Sequence, residues 1–106
     1  MTREEALHAL EEYRVSIDAL DLRLLQLLND RTRVVEEIGR VKRAANLPIY
    51  EPRREDQVFE NIATHNGGPL SAEAVKRIFE RIIDEMRTIQ RIRMQTSVET
   101  SPDGDS

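Results

Sequence analysis

The chain lacks cysteine altogether, and it has only four prolines and four glycines among its 106 residues. Without cysteine it can form neither a disulfide nor a thiolate metal site. No apolar run approaches the ~20 residues that a bilayer span requires, and the first residues contain no apolar core of the kind that export signals carry. We therefore expect a cytoplasmic protein that has no membrane partner.

Several functional classes lack the residues that they need. The net charge is −4, whereas nucleic-acid binding usually requires a basic domain or stripe, so we expect no nucleic-acid partner. His8 and His65 are the only histidines, and neither has a second histidine or a carboxylate pair at ligand spacing. No Ser-His-Asp set or Gly-rich phosphate loop is present. The chemistry should therefore need no metal, no cofactor and no covalent intermediate.

The residues that are abundant favour helices. Between Arg3 and Ala45 there is no proline and the only glycine is Gly39, which predicts one long helix. The segment "NLPIYEP" ends it, because each proline biases its predecessor away from helical geometry. A second helix is predicted from Pro52 to "HNGG", where Asn66 or Gly67 would adopt left-handed geometry, and a third after Ser71 as N-cap. We predict an all-α domain over residues 1–95 and a disordered tail over residues 96–106.

The predicted first helix is too long for one small domain to cover. About 40 residues span ~60 Å at helical rise, whereas a compact domain of 100 residues has a radius of gyration near ~13 Å. Two shorter helices can shield only part of such a helix. We therefore predict three helices per chain, with a very long first helix, assembled as an intertwined helical homodimer.

The apolar stripe of this helix contains charged residues. Alternating steps of three and four give a heptad seam made of Leu7, Leu10, Arg14, Ile17, Asp21, Leu24, Leu28, Arg31, Val35, Ile38, Lys42 and Ala45. Any one of the charged members could simply fix the register or pair with Asp21. Three cations with one acid are harder to explain, because an unpaired buried cation costs several kcal/mol. A dianionic ligand would supply the missing negative charge.

The other helices also place polar groups on apolar faces. Glu55 shares a face with Val58 and Ile62, and Arg54 is its neighbour. Gln90 similarly follows Phe79, Ile83 and Met86 at helical spacing, which places an uncharged donor and acceptor near the interior. Each of these signals alone is weak, because such residues usually lie on a solvated surface.

Together these residues resemble the all-helical chorismate mutase family. The match consists of "RVSIDALDLRLLQLLNDRTRVVEEIGRVK", then "PIYEPRRE", then Gln90 eleven residues after Phe79, and it extends from about Leu10 to Arg93. The segments "EPRRE" and "NGGPLS" most resemble the mutase domains that some bacteria fuse to the synthase opening the shikimate pathway. The resemblance therefore implies chorismate as the substrate, and it makes such a synthase a candidate partner.

The resemblance implies an isomerase that rearranges chorismate to prephenate in phenylalanine and tyrosine biosynthesis. Such a rearrangement gains rate from confinement of the substrate and from stabilisation of negative charge on its ether oxygen. The family pattern assigns the substrate carboxylates to Arg14, Arg31 and Lys42, and the ether oxygen to Lys42 and Gln90. Arg14 lies seventeen residues before Arg31, or ~25 Å along a helix. Arg14 should therefore come from the partner chain of the dimer.

The resemblance also assigns roles around the second helix. Arg54 matches a supporting cation, Glu55 the acceptor for the ring hydroxyl, and Glu51 a site acid that is commonly Asp. Two positions depart from the family pattern. Met86 stands where a small hydroxyl residue often helps to hold a carboxylate, and Arg87 stands where an aliphatic residue often lines the pocket. Our hypothesis from the sequence is that Arg87 supplies a replacement cation for that carboxylate.

Two other functions fit parts of the same pattern. A lyase that eliminates pyruvate from isochorismate shares the cations and the glutamine, but it leaves no obvious use for Glu55. A non-catalytic helical dimer, or a module that senses prephenate for a partner synthase, would need neither Lys42 nor Gln90 for catalysis. The complete set of cations together with Gln90 favours the mutase.

Overall fold

The computed structural model describes the backbone of residues 1–104 and the side chains of residues 1–93. Three helices make up this part of the chain: α1 (Arg3–Ala44), α2 (Pro52–His65) and α3 (Ala72–Gly104). Residues 1–104 contain no strand, so the predicted all-α class with three helices and a very long first helix is confirmed. None of the helices described is long and apolar enough to cross a membrane.

Helix α3 includes the backbone of residues 96–104, which the sequence analysis assigned to the tail. The side chains from residue 94 onward, and residues 105 and 106 entirely, lie outside the described residues. The disordered tail over residues 96–106 therefore stays a prediction.

The end of α1 turns the chain back along its own last turn. Asn46 has a left-handed φ of 57°, and the Leu47 and Asn46 amides donate to the carbonyls of Lys42 and Arg43 at 2.7 and 3.2 Å. These two bonds form the Schellman arrangement, which satisfies carbonyls that the helix end leaves unpaired. The returning segment brings the Ile49 carbonyl to the Lys42 side chain.

Of the two predicted caps of the other helices, one is confirmed and one is wrong. Ser71 is the N-cap of α3, as predicted, because its Oγ accepts a hydrogen bond from the Ala74 amide at 3.1 Å. The left-handed residue predicted at Asn66 or Gly67 is wrong, since Asn66 is extended (φ −73°) and the positive φ occurs at Gly68. The reason is local: the Asn66 side chain accepts from the Gly68 amide at 2.9 Å and donates to the Leu70 carbonyl at 3.0 Å. These bonds stabilise the turn without left-handed backbone at Asn66.

The chain divides into two compact units, Met1–Val34 and Val35–Ser106. The first unit contains the N-terminal part of α1, and every large apolar side chain in it except Leu28 is exposed. Leu22 and Leu24, for example, are 68% and 54% exposed. Burial of such side chains is the main stabilising contribution in folding and association, so this unit leaves a large apolar surface uncovered.

The second unit contains the core of the described chain. Helices α2 and α3 pack against each other there, and Val75, Ile83 and Met86 are its buried apolar residues. The predicted apolar face of α3 is confirmed, since Phe79 is half-buried and Ile83, Met86 and Gln90 are buried. Lys42 and Gln90 are the two buried polar residues among those described.

Candidate active site

Lys42 lies in the last turn of α1 and is only 8% exposed. Its Nζ donates to the Ile49 carbonyl at 2.9 Å and forms an ion pair with Glu51 Oε1 at 2.7 Å. The Glu51 side chain is itself half-exposed. An ammonium group has three donors, so two of them are engaged by these oxygens and one remains for a ligand.

Gln90 is the second polar residue in the interior of the same unit, and it is also 8% exposed. Its Nε2 donates to the Val35 carbonyl on α1 at 3.2 Å. The side-chain amide has two N–H donors and one acceptor oxygen. The bond to Val35 fixes the orientation of the amide and leaves its second N–H available.

An ion pair that the sequence did not predict joins α2 to α3. Arg87 Nη2 donates to Glu55 Oε2, and the two side chains are 21% and 22% exposed. Arg87 also approaches Asp84 Oδ1 with its Nη1 at 3.4 Å, and its Cζ lies 4.9 Å from the centre of the Tyr50 ring. The hydrogen bond to Glu55 raises the pKa of Arg87 further above its ordinary value.

This pairing changes how both residues are interpreted. The family resemblance implies a substrate hydroxyl as the partner of Glu55, and the sequence hypothesis gives Arg87 a substrate carboxylate, whereas the structure bonds the two side chains to each other. They are 32 residues apart on different helices, so no periodicity in the sequence could indicate the contact. Arg87 Nε is buried and has no hydrogen-bond partner among the described residues.

Among the other predicted site residues of the second unit, Arg54 joins neither pair. Arg54 is exposed, and among the described side chains it reaches only Gln57 on its own helix, at 3.5 Å. Arg14 and Arg31 belong to the first unit, where Arg14 is exposed and Arg31 is half-buried. Within the second unit, the structure therefore brings together Lys42 with Glu51 and Arg87 with Glu55, and it buries Gln90 separately.

A cavity of about 400 Å³ lies beside these groups and is lined by Ile49, Tyr50, Arg87 and Arg91. Ile49 is the residue whose carbonyl accepts from Lys42, and Arg87 is the residue that holds Glu55. The cavity thus includes Arg87 of one ion pair and borders the residue whose carbonyl holds Lys42. Arg91 was not predicted as a site residue, because an exposed arginine on a helix carries no distinguishing pattern in the sequence.

The chemistry of the site follows from its inventory. It offers cationic and amide donors, a carboxylate acceptor and an aromatic ring, and no group of His, Asp or Glu residues among those described could hold a metal ion. Donors of this kind bind carboxylates and stabilise negative charge that develops on an oxygen. The fold and the site together define an all-helical domain whose donors suit a small anionic ligand.

Comparison with protein families identifies the domain more closely. The family model for chorismate mutase type II matches residues 13–91, which is most of the chain. The chain therefore belongs to the chorismate mutase type II family. This confirms the resemblance that the sequence motifs indicated.

Similar proteins include longer enzymes with two activities. The chain is 38% identical over 86 residues to the bifunctional chorismate mutase/prephenate dehydratase of Aquifex aeolicus, and 36% identical over 87 residues to that of Stutzerimonas stutzeri. Each alignment covers 77% of this chain and 24% of the relative. The chain thus spans about a quarter of the length of these curated relatives. Their names pair the mutase with a dehydratase, whereas the sequence analysis indicated a synthase, so the synthase partner stays a prediction.

A solved structure of a shorter protein resembles most of the chain. Chorismate mutase (form II) from Thermus thermophilus superposes with a TM-score of 0.77 at 29% sequence identity. The superposition covers 78% of this chain and 94% of the Thermus chain. The fold of the chain is thus similar to that of a solved chorismate mutase.

Proposed function

We propose that this chain is a chorismate mutase, an isomerase that rearranges chorismate to prephenate in aromatic amino acid biosynthesis. The observation that supports the proposal most strongly is the burial of Lys42 and Gln90, each held by hydrogen bonds and each with a donor to spare. Family membership over residues 13–91 supplies the reaction to which these donors are suited.

Lys42 and Gln90 stabilise the charge that develops during the rearrangement. As the ether bond to the ring breaks, negative charge grows on the ether oxygen, and the third Lys42 donor and the second Gln90 N–H bond to it. These donors are already oriented by Glu51, Ile49 and Val35, so little reorganisation is needed in the transition state. Their burial strengthens the interaction, because the local dielectric is lower than that of water. No proton is transferred.

The other predicted residues bind the ground-state groups of the substrate. Arg31 holds a carboxylate, together with Arg14 from a partner chain, the charge of Lys42 attracts the carboxylates, and Arg54 adds a supporting cation. Glu55 accepts a hydrogen bond from the ring hydroxyl through Oε1, because its Oε2 already accepts one from Arg87. Glu51 holds the Lys42 ammonium in place. The carboxylate role that the sequence analysis gave to Arg87 stays a prediction.

The same proposal includes a homodimer in the cytoplasm. The exposed apolar side chains of the first unit support a dimer, because a second copy of α1 would cover them. Detection of the mutase activity in the cytoplasmic fraction of cells that produce the protein tests the location. Co-purification with the first synthase of the shikimate pathway tests the predicted partner.

Product identification tests the proposed reaction against its two alternatives. The purified protein is supplied with chorismate in one reaction and with isochorismate in another, and the products are identified by chromatography with mass detection. We expect prephenate from chorismate and no release of pyruvate from isochorismate. Pyruvate from isochorismate without prephenate from chorismate would instead identify the lyase, and turnover of neither substrate would support the binding module.

A further inference from the structure

Two arginines of α3 that line the same cavity differ in their hydrogen-bond and ion-pair partners. Arg87 and Arg91 are four residues apart, so their side chains lie on the same face of the helix. Like charges at this spacing destabilise a helix unless another group compensates them. Among the described residues, acidic side chains compensate the positive charge of Arg87 but not that of Arg91.

The Arg87 guanidinium already has two acidic partners and an aromatic one. It donates to Glu55, approaches Asp84 at 3.4 Å and packs on the Tyr50 ring. A substrate carboxylate would have to compete with the Glu55 carboxylate for the same donors. Arg87 is therefore placed to hold Glu55, and acidic side chains already compensate its charge before any ligand binds.

Arg91 differs from Arg87 in its exposure and in its partners. Its side chain is exposed, and no hydrogen bond or ion pair to another described residue engages it. An exposed arginine is ordinarily just solvated, but this one forms a wall of a cavity together with Ile49 and Tyr50. An anion in the cavity would meet a guanidinium whose donors are all available, next to a second cation that is already neutralised.

We propose that Arg91 binds a substrate carboxylate in this cavity, while Arg87 is a positioning residue that orients Glu55. The inference rests on the proposed mutase function, and it adds a residue to the binding set. The sequence hypothesis gave this carboxylate contact to Arg87. The contact is now assigned to Arg91, the next arginine along the same face of the helix.

Steady-state kinetics of Arg91→Gln with chorismate test the first half of the proposal. Charge-assisted hydrogen bonds to a carboxylate are worth enough that the KM should rise about tenfold or more. The kcat should change little, because the contact is present before and during the rearrangement. Arg91→Lys should recover part of the affinity, since a cation remains.

Arg93→Gln is the matched control for this experiment. Arg93 is an exposed arginine on the same helix, and it pairs with Glu36 rather than lining the cavity. Its KM should equal that of the wild type. A KM for Arg91→Gln that matches the Arg93→Gln control would overturn the assignment. Failure of the wild type to rearrange chorismate would refute the proposed function instead, and titration calorimetry with chorismate would then still test Arg91.

A double-mutant cycle tests the positioning role of Arg87. Arg87→Gln should raise the KM with a smaller change in kcat, because the Glu55 contact that it orients is present before and during the rearrangement, and Arg87→Lys should restore part of the affinity. In a Glu55→Gln background the same Arg87→Gln change should have a much smaller effect, because the group that it positions has been altered. Equal effects of Arg87→Gln in both backgrounds, with folding confirmed by circular dichroism, would show that Arg87 does not act through Glu55.

Discussion

Lys42 and Gln90 are as buried as the apolar core residues Val75 and Ile83. A buried ammonium or amide normally destabilises a fold unless hydrogen bonds satisfy it. Lys42 has the Ile49 carbonyl and Glu51 as partners, and Gln90 has the Val35 carbonyl. Both residues are thus held in the interior with donor capacity left for a ligand.

Removing either donor should reduce the rate of the chemical step. We expect Lys42→Ala and Gln90→Ala each to lower the kcat, with a loss for Lys42→Ala of about 10²-fold or more, because each removes a donor to the developing charge. Arg43→Ala is the control, since Arg43 is a neighbouring but exposed cation. Circular dichroism should show that the variants remain folded. Wild-type turnover by folded Lys42→Ala would mean that the ether-oxygen role is misassigned.

The acceptor role of Glu55 predicts an order of activities. Glu55→Gln should retain part of the activity, because an amide oxygen can still accept from the ring hydroxyl. Glu55→Ala should lose more, because it also leaves Arg87 without its principal partner. The same two substitutions at Glu60, which is exposed on the same helix, provide the control. Higher activity in the alanine variant than in the glutamine variant would be incompatible with this role.

At the scale of the helices, the features that depend on residues close together in the sequence, such as caps and apolar faces, were predictable. Ser71 follows a glycine- and proline-containing link and precedes a periodic segment, so the start of α3 was readable from the chain alone. The burial of Lys42 and Gln90 also followed from their spacing on apolar faces. The pairing of Arg87 with Glu55 was not predictable, because it depends on how α2 packs on α3. The same limit applies to Arg91, whose significance comes only from the cavity wall.

The N-cap of α3 gives a prediction about stability. Ser71→Ala removes the acceptor for the Ala74 amide and should lower the free energy of unfolding by about 1 kcal/mol. Ser16→Ala is the control, because the Ser16 hydroxyl only bonds back to a carbonyl of its own helix and should have a smaller effect. Chemical denaturation at one fixed protein concentration compares them. Equal stability of Ser71→Ala and the wild type would argue against a stabilising cap.

At the scale of the whole molecule, the first unit has more apolar surface than the described chain covers. Its exposed leucines alternate with charged residues along α1, and Leu7, Leu10, Ile17 and Leu24 of the predicted seam are all at least 44% exposed. Arg14 lies on that seam, seventeen residues from Arg31. The resulting ~25 Å along the helix is too far for both side chains to reach one small substrate. The proposed second copy would cover the apolar surface and would also supply the missing cation.

The most direct test of this account is complementation between two inactive chains. Arg14→Ala and Lys42→Ala should each be nearly inactive alone. Co-refolding equal amounts should make about half of the dimers mixed, and each mixed dimer would have one intact and one doubly damaged site. The prediction is recovery of about a quarter of the wild-type prephenate formation. If one chain supplied every group, each site would keep one lesion. A mixture as inactive as its parents, with mixed dimers confirmed by mass spectrometry, would contradict the shared site.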